Sequence, residues 1–361
     1  MAYIGVDIHS NKFTAHFKEG NGQGRNTSYY IRSDDLRRFI ELGLKKDDYV
    51  FLEASTNTFA FSDLIKDKVK EVVVVDPFQF KAMINSGKKT DKINARTFAE
   101  TGKYHIETGG DFLPTVYIVD EPIRKLRSLF TTYNLITKEI TMVKNRIHSL
   151  FRQNLKSCGD PADKELLEMD LAAAALDAVY EVQVRVLAEV LKHLLEVKAR
   201  IKREILLLGA SFKEDLDILV SISGVSVFGA LAMISDYATI ERFSKAKQFS
   251  RYLRSTPRSE VSNETRKDGK TQKSGRKLSV KLLLQGLGHF RDESPYLSEF
   301  YWRLRKGKGA CRARMAVARK MFVAIFYMLK KREYYRYMNE VLHDRKMREY
   351  ELFLEKNRKA V

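Results

Sequence analysis

The hydrophobic and polar positions change their period near residue 117, which divides the chain into two regions of different secondary structure. Short apolar runs bounded by turn residues predict strands in the first region, at residues 3–9, 12–17, 28–31, 49–55 and 72–75. Two segments with helical spacing lie between them, at residues 34–44 and 59–68. Because strands alternate with helices, the pattern predicts an α/β domain over residues 1–116.

Beyond residue 117, apolar side chains recur every three or four positions, as in long helices. One such run covers residues 117–150 and a second extends from about Leu166 to Leu208, with Gly159-Asp160-Pro161 between them. This predicts an antiparallel, coiled-coil-like helical arm over residues 117–212. The arm is either a hairpin that spaces two domains or a surface for dimerisation.

The rest of the chain is predicted to be a mainly helical domain over residues 213–345, followed by a charged tail over 346–361 that frays. Residues 219–230 resemble a helix-hairpin-helix element, in which a glycine turn lets backbone amides approach a phosphate. A plain helix-turn-helix packing unit is the alternative. Residues 255–263 are predicted to be an irregular loop and 263–276 a mobile segment, and a helix resumes at Leu278.

The charge balance indicates a polyanionic partner. Lys and Arg number 65 against 46 Asp and Glu, a net charge of +19, which favours nucleic acid. No apolar run approaches the roughly 20 residues of a membrane-spanning helix, and the N-terminus lacks the features of a signal peptide. Cys158 and Cys311 are far apart and the seven His are scattered, so we predict a reduced cytoplasmic setting and no zinc site.

Positive charge is concentrated in two stretches. Residues 242–281 hold 13 Lys or Arg against three acids, and residues 303–348 hold 15 against three. The second stretch also contains many aromatic residues, which suits base stacking together with phosphate contact, although Phe322 and Phe326 are expected in the core. The cations predicted to bind nucleic acid are Lys88, Lys89, Lys92, Arg258, Arg266, Lys267, Lys270, Lys273, Arg276, Arg303, Arg305, Lys306, Arg319 and Lys320.

Acidic residues stand at the ends of two predicted strands, Asp7 and Glu53. In α/β sheets, sites form beyond the carboxyl ends of the strands, so these carboxylates converge if their strands are neighbours. Asp91 and Asn94 lie three apart at a helix start and share one face. Clustered carboxylates need a counter-cation, and hard oxygen ligands select Mg²⁺ or Mn²⁺. Two such ions about 3.5–4 Å apart clamp the oxygens of a phosphodiester displacement.

Three segments, Tyr3–Asp7, Phe51–Ser55 and Lys89–Ala95, resemble the three acidic blocks of DEDD transposases. That family includes the insertion-sequence one-ten (IS110) family and Piv-type site-specific invertases. The resemblance implies a RuvC-like first domain, of RNase H type, with Asp7, Glu53 and Asp91 as three of four metal ligands. The fourth position is normally Asp and is Asn94 here, which offers a neutral oxygen and removes one negative charge.

The resemblance extends to the second half of the chain. Pro257, a serine loop, a basic segment and a helix follow the layout of the family's second domain, and residues 300–308 and 316–321 resemble its C-terminal helices. Counting from Pro257 places Ser262 at the position of the nucleophile, with Ser259 as the alternative. Asn263 replaces the glycine that normally follows.

The family therefore implies a DNA transposase or recombinase that cleaves and exchanges strands with Mg²⁺ and a serine nucleophile. Its implied partners are double-stranded DNA, a homo-oligomer (dimer or tetramer) and, in the insertion-sequence branch, a structured guide RNA (bridge RNA). The expected setting is the nucleoid of a bacterium or archaeon. Two alternatives stay open: a catalytically weakened nucleic-acid-binding homologue, and a RuvC-like nuclease in which water attacks. Only the first reaction leaves protein covalently joined to DNA through serine.

Overall fold

The computed structural model describes residues 1–20, 22–32, 34–83, 90–110, 112–262, 265–271 and 274–358, with residues 258–271 and Arg358 described by their backbone alone. The chain divides into two compact units, Met1–Val119 and Asp120–Val361. No helix in the described ranges is both long enough and apolar enough to cross a membrane.

The first unit is the predicted mixture of strands and helices. Its elements are β1 (Ala2–Ile8), β2 (Lys12–Glu19), β3 (Arg25–Tyr30), α1 (Asp34–Leu42), β4 (Tyr49–Glu53), α2 (Thr58–Ile65), β5 (Glu71–Val75), α3 (Pro77–Met83) and α4 (Asp91–Glu107). The predicted strands and helices of this unit are confirmed within a few residues. The α/β assignment of the N-terminal region is therefore correct.

The strands form one mixed sheet in the order β3-β2-β1-β4-β5. The first three strands form an antiparallel meander, whereas β1, β4 and β5 are parallel. In the parallel register Val6 lies opposite Leu52, so strands β1 and β4 end at the same edge of the sheet. The connection from β1 to β4 passes through β2, β3 and α1, which is why two residues far apart in sequence finish side by side.

Both faces of this sheet are covered, because β1 is buried along its whole length. Residues of alternating positions point to opposite faces of a strand. Ile4 and Val6 belong to one core, with Phe13, Phe39 and Phe61. A second core on the other face contains Tyr3, Phe51, Val73, Phe80 and Phe98, the last of which lies on α4. The buried central strand thus forms a rigid base for the residues at its carboxyl end.

Helix α4 approaches β1 so closely that only glycine fits between them. A Cβ added at Gly5 would lie 1.9 Å from the carbonyl oxygen of Ala95 and 2.5 Å from the amide nitrogen of Ala99. Real Cβ atoms do not approach backbone at such distances. Gly5 therefore sets the spacing between the strand that carries Asp7 and the helix that carries Asp91.

The second unit begins with long helices, α5 (Glu121–Gln153), α6 (Lys164–Ala174) and α7 (Ala178–Leu208). The prediction of one helical run from about Leu166 to Leu208 is wrong, because the chain breaks between α6 and α7. Ala175 adopts a left-handed conformation with φ of 45°, and the side chain of Asp177 caps α7 by accepting a hydrogen bond from the amide of Val179. The apolar spacing continues across this break, so spacing alone did not reveal it.

Helices α5 and α7 run antiparallel. Arg146 of α5 donates to Gln183 of α7 at 3.3 Å, and the ammonium of Lys198 of α7 lies 5.1 Å from the ring centroid of Tyr133 of α5. The later residue of α5 thus contacts the earlier residue of α7, which shows that the two helices run in opposite directions. Their shared apolar cluster includes buried residues of both helices and of α6: Ile140, Ile147, Leu150, Leu171, Val184 and Leu191. The predicted antiparallel helical pair is therefore present, and its use as a coiled-coil arm stays a prediction.

The remaining elements are a short 3-10 helix (Gly209–Phe212), α8 (Lys213–Val220), α9 (Val227–Tyr237), α10 (Ala246–Tyr252), β6 (Pro257–Ser262), β7 (Thr265–Thr271), α11 (Leu278–Gln285), α12 (Leu287–Glu293), α13 (Pro295–Lys308), α14 (Ala310–Lys331) and α15 (Glu340–Arg358). Phe249 lies at the centre of this unit, with ring contacts to Tyr237, Phe243, Phe322 and Phe326. Phe322 and Phe326 are buried, as predicted.

The irregular loop predicted at residues 255–263 is wrong, because Pro257–Ser262 forms strand β6. This strand pairs antiparallel with β7, with Ser262 opposite Thr265, and the mobility of 263–276 stays a prediction. These strands are polar and lack the apolar alternation that marks a half-buried strand, so the sequence pattern missed them. The stretch expected to fray as a charged tail is helical as far as Arg358, because Met347 and Tyr350 are buried along α15.

Candidate active site

Asp7 and Glu53 lie at one edge of the sheet of the first unit. Asp7 follows Val6 in β1 and Glu53 follows Leu52 in β4, and these two preceding residues are direct neighbours in the parallel register. The two strands are neighbours in the sheet, which meets the condition on which the sequence made the approach of Asp7 and Glu53 depend. Asp7 is buried, with 6% of its surface exposed, and Glu53 is half-buried.

Helix α4 brings Asp91 and Asn94 to the same edge. The helix begins where it does because Thr90 is its N-cap, with an extended backbone and a side-chain oxygen that accepts from the amide of Ile93 at 3.3 Å. Asp91 in the first turn interacts favourably with the positive end of the helix dipole. The close approach at Gly5 then places this first turn beside the end of β1.

The side chains of Asp7 and Asn94 are in direct contact, since the amide nitrogen of Asn94 donates to Oδ2 of Asp7 at 2.9 Å. The side chains of His9 and Lys12 also reach the cluster. Nε2 of His9 lies 3.2 Å from Oδ1 of Asp91 and 3.6 Å from Oδ1 of Asp7, and Nζ of Lys12 lies 2.9 Å from Oδ2 of Asp91. The ammonium of Lys12 thus offsets part of the negative charge of the two carboxylates, and the imidazole of His9 contacts both of them.

The electrostatics keep Asp91 ionised. The hydrogen bond from Lys12, and next the one from His9, lowers the pKa of Asp91 below its ordinary value, while burial opposes this shift. The same bond raises the pKa of Lys12. A carboxylate must be deprotonated to bind a metal, so Asp91 is in the competent form at neutral pH.

The donor set fits a divalent metal ion. One ligand atom each from Asp7, His9 and Asp91 lies within 4.8 Å of the other two. His9 was missed by the sequence analysis, which set the scattered histidines aside. Its position two residues after Asp7 was the signal available, since the end of β1 carries both residues to the same edge. Glu53 is not a member of this three-residue group among the described residues.

Two family models match the chain. Residues 4–155 match the DEDD-type model of the IS110 family, described as a transposase, and residues 216–301 match the model described as the transposase IS116/IS110/IS902 family. The chain belongs to the IS110 family of DEDD transposases. No curated protein matches the chain. Membership implies a protein that binds DNA and a family activity of DNA transposition or recombination.

In this IS110-family chain, the cations predicted near the acidic site are only partly described. Lys92 is exposed on the first turn of α4. Lys88 and Lys89 fall outside the described residues. The clustering of positive charge that the sequence predicts at this helix start therefore stays a prediction. Among the described residues, Lys12 is the lysine that contacts Asp91.

The predicted nucleophile lies on the hairpin of the second unit. Ser262 is the last residue of β6, and Ser259 lies opposite Asp268 in the register with β7. Only the backbone of these residues is described, and Asn263 and Lys273 fall outside the described residues. Ser262 and Ser259 both stay predictions. The same holds for the cations of the hairpin, which are Arg258, Arg266, Lys267 and Lys270.

The other predicted cations lie on helices of the IS110-family chain. Arg276 precedes α11 and is exposed. On α13 and α14 the exposed cations are Arg303, Arg305, Lys306 and Arg319, while Lys320 is half-buried. Arg305 stacks on Trp302, with its guanidinium 4.8 Å from the ring centroid, and Arg303 lies 5.8 Å from the ring centroid of Phe300. Positive charge and aromatic rings are therefore interleaved on α13.

The turn between α8 and α9, which contains Gly224, packs against Gly286 and helix α15. Gly224 has φ of +84°, and a Cβ there would lie 2.5 Å from the carbonyl oxygen of Gly286. Lys346 on α15 donates to the carbonyls of Val220 and Val225 at 3.2 and 2.9 Å. These contacts support the helix-turn-helix packing unit that the sequence analysis gave as an alternative.

Proposed function

We propose that this IS110-family chain is a DNA recombinase with a RuvC-like first unit, in which Asp7, Glu53 and Asp91 hold a divalent metal and Asn94, at the fourth position of the site, orients Asp7. The observation that carries the proposal is the convergence of Asp7 and Asp91 at one edge of the mixed sheet, with ligand atoms within 4.8 Å of each other and of His9. Carboxylate oxygens at this spacing suit Mg²⁺ or Mn²⁺.

The chain's own residues hold these carboxylates in place. Lys12 compensates the charge of Asp91, His9 contacts the same carboxylate, and Asn94 fixes one oxygen of Asp7 by donating to it. These contacts offset the repulsion between the two acidic side chains. When bound, a divalent ion would supply positive charge to the attacked phosphate and to the oxygens of the displacement.

The proposed nucleophile is the hydroxyl of Ser262, with Ser259 as the alternative. The serine oxygen forms a bond to phosphorus as the bond from phosphorus to one deoxyribose oxygen breaks. The serine gives its proton to a base, and the leaving oxygen takes up a proton. Attack by a deoxyribose hydroxyl of a second strand reverses these steps and frees the serine. A serine hydroxyl needs such assistance, because it is a weak nucleophile at its ordinary pKa.

The proposed partners are double-stranded DNA and a structured guide RNA. Exposed cations on α13 and α14, among them Arg303, Arg305 and Arg319, support phosphate contact. Binding to either polyanion follows from charge, whereas choice of sequence would come from base pairing with the RNA.

A homo-oligomer is the third proposed partner, formed through the helices α5 and α7. Four valines along α7 are exposed and spaced by three or four residues: Val179, Val182, Val186 and Val190. An exposed apolar stripe with this spacing suits packing against another helix. Replacing Val182 and Val186 together by Glu should convert the oligomer to monomer in sedimentation, whereas Val341→Glu, at an exposed valine on α15, should leave it unchanged. An oligomer that persists in the double variant excludes this stripe.

The central experiment is the capture of protein joined to DNA. The purified chain is incubated with Mg²⁺ and a labelled plasmid carrying the DNA that flanks the coding sequence, together with RNA transcribed from that DNA. We expect labelled DNA attached to protein, with the attachment site identified by mass spectrometry at Ser262. Ser262→Ala should abolish the adduct and Ser259→Ala should preserve it. Asp7→Ala and Glu53→Ala should abolish it while nucleic-acid binding persists.

The remaining outcomes separate the alternatives. Metal-dependent cleavage without a covalent adduct would indicate a hydrolytic nuclease. Binding without cleavage at any Mg²⁺ or Mn²⁺ concentration would indicate a catalytically weakened homologue, which the missing charge at Asn94 favours. An adduct that persists in Asp7→Ala would exclude the acidic site from the reaction.

A further inference from the structure

The second unit contains a large open groove that the proposed reaction does not use. Its volume is about 1570 Å³. It lies between α13, α14 and the turn that follows α14, and Ser255 and Pro257 line it as well. A groove of this volume is larger than the few hundred to about 1,000 Å³ of a small-molecule site, so it suits a macromolecular segment.

The charges that line the groove are almost all positive. Glu333 is the one acidic residue among its lining residues, against six cations: Lys308, Arg312, Arg319, Lys320, Lys331 and Arg336. Within the described part of the chain, none of these six forms an ion pair with a carboxylate. Cations that have no acidic partner in the protein attract a polyanion.

Aromatic side chains alternate with these charges, and three of the tyrosines are about half exposed. Tyr296, Tyr327 and Tyr334 are 56%, 52% and 49% exposed, although each lines the groove. Tyr296 stacks on Phe300 with an angle of 11° between the rings. Lys320 holds this pair, because its ammonium bonds the hydroxyl of Tyr296 and lies 4.8 Å from both ring centroids.

We propose that this groove binds an unpaired nucleic-acid strand, with bases stacked on Tyr296 and Tyr327 and phosphates beside Arg319 and its neighbouring cations. The inference deepens the proposed function, since it assumes that the partner is nucleic acid. A duplex keeps its base faces covered by neighbouring bases, whereas an unpaired strand offers them to exposed rings. The combination of free cations and exposed rings therefore favours single strands over duplex.

The test measures binding of fluorescently labelled 20-residue oligo(dT), oligo(U) and a 20-base-pair duplex to the full chain, in EDTA. Because no metal is present, the result does not depend on strand cleavage, and a failure here leaves the capture experiment unaffected. The double variant Tyr296→Ala with Tyr327→Ala should bind a single strand at least about tenfold more weakly, while its affinity for the duplex changes little. Oligo(dT) and oligo(U) identify which sugar the groove accepts.

Matched variants separate stacking from other effects. Tyr296→Phe keeps the ring and should preserve single-strand affinity, as should Tyr104→Ala, which removes a 54%-exposed tyrosine of the first unit. Arg319→Gln should weaken binding and lower the slope of log affinity against log salt by about one, which the ring variants should not do. Circular dichroism melting shows that each variant is folded.

Three results would overturn the proposal. The first is single-strand affinity that the double variant leaves unchanged. The second is an equal loss for single strand and duplex, which would mean that the groove contacts phosphates alone. The third is a change of oligomeric state in the ring variants without loss of single-strand binding, which would make the groove a surface for a second copy of the chain.

Discussion

The side-chain nitrogen of Asn94 donates a hydrogen bond of 2.9 Å to Oδ2 of Asp7. The sequence predicts the amide oxygen of Asn94 as a metal ligand, yet the atom that faces Asp7 is the nitrogen, which cannot ligate a cation. In this structure, Asn94 therefore fixes the orientation of the Asp7 carboxylate. This contact determines what a carboxylate at position 94 would do.

Asn94→Asp should have opposite effects with and without metal. In EDTA, it removes a hydrogen bond to a charged group and sets two carboxylates against each other, so we expect the first unit to lose about 2 kcal/mol of stability. With Mg²⁺, the added negative charge should strengthen metal binding. The melting temperature should then rise more with increasing Mg²⁺ for the variant than for the wild type. The variant should also reach half-maximal strand exchange at a lower Mg²⁺ concentration.

Asn94→Ala is the control for that experiment, because it removes the same hydrogen bond without adding charge. It should lose stability in EDTA and gain no extra stabilisation from Mg²⁺. If the Asp variant also gains no more than wild type at any Mg²⁺ concentration, the four-ligand picture of the site is wrong.

His9 should shift the metal preference toward Mn²⁺. Its Nε2 lies close to both Asp7 and Asp91, and imidazole nitrogen binds transition metals better than it binds Mg²⁺. His9→Gln should reduce Mn²⁺ affinity by at least about tenfold and Mg²⁺ affinity much less, as measured by calorimetric titration. His193→Gln, at an exposed histidine of α7, is the control and should change neither affinity. Equal losses for the two metals would rule out direct ligation by His9.

Asp236 should make stability fall as pH rises. Burial raises the pKa of this carboxyl, although Ser279 donates to it from its amide and its hydroxyl, both at 2.8 Å. The native state then binds a proton at pH values where the unfolded state does not, so the free energy of unfolding decreases from about pH 3.9 upward, until pH passes the raised native pKa.

Urea denaturation across pH 4 to 7 checks this sign. The stability of Asp236→Asn relative to wild type should increase with pH through that window. Asp292→Asn provides a control whose stability relative to wild type should stay level across that window, because the bond from Arg291 lowers the pKa of Asp292. The contribution of Asp292 is present above the ordinary carboxyl pKa and is lost as pH falls through the lowered native pKa. Parallel profiles for Asp236→Asn and wild type would contradict the assignment.

Affinity for duplex DNA should fall steeply with salt. If six to ten phosphates are contacted, affinity drops by roughly 10³–10⁵ between 50 and 200 mM salt. Replacing Arg305 and Lys306 by Gln should reduce the slope by about one for each residue, whereas Lys192→Gln on α7 should leave it unchanged. A flat salt dependence would remove the argument from net charge. Filter binding or fluorescence anisotropy supplies the measurement.

The placement of Asp7 and Glu53 at one edge of the sheet could be anticipated, on the condition that their strands are neighbours, because it depends on local patterns. Apolar runs locate β1 and β4, and the ends of parallel neighbours meet at one edge of a sheet. The position of His9 two residues after Asp7 was a signal for its place at this edge, but its contact with Asp91 and that of Lys12 could not be predicted, since they exist only after α4 packs on β1. No spacing along the chain encodes a contact between residues more than 75 positions apart.

In the second unit, the pattern of apolar residues did not predict two structural features correctly. The apolar spacing of α6 and α7 continues through the left-handed residue Ala175, so periodicity gave one helix where there are two. The hairpin β6–β7 was missed for the opposite reason, because its polar strands carry no apolar alternation. Backbone pairing can form a strand without any hydrophobic signal in its sequence.

Gly5 gives a practical criterion for judging relatives of this chain. The backbone of α4 occupies the space that any side chain at position 5 would need. A relative that retains every acidic position but carries alanine two residues before its first aspartate would have to move the helix that bears the other ligands. Such a sequence would match the acidic blocks and still lack their geometry. When the catalytic competence of a related sequence is judged, this glycine is therefore worth checking before the carboxylates are counted.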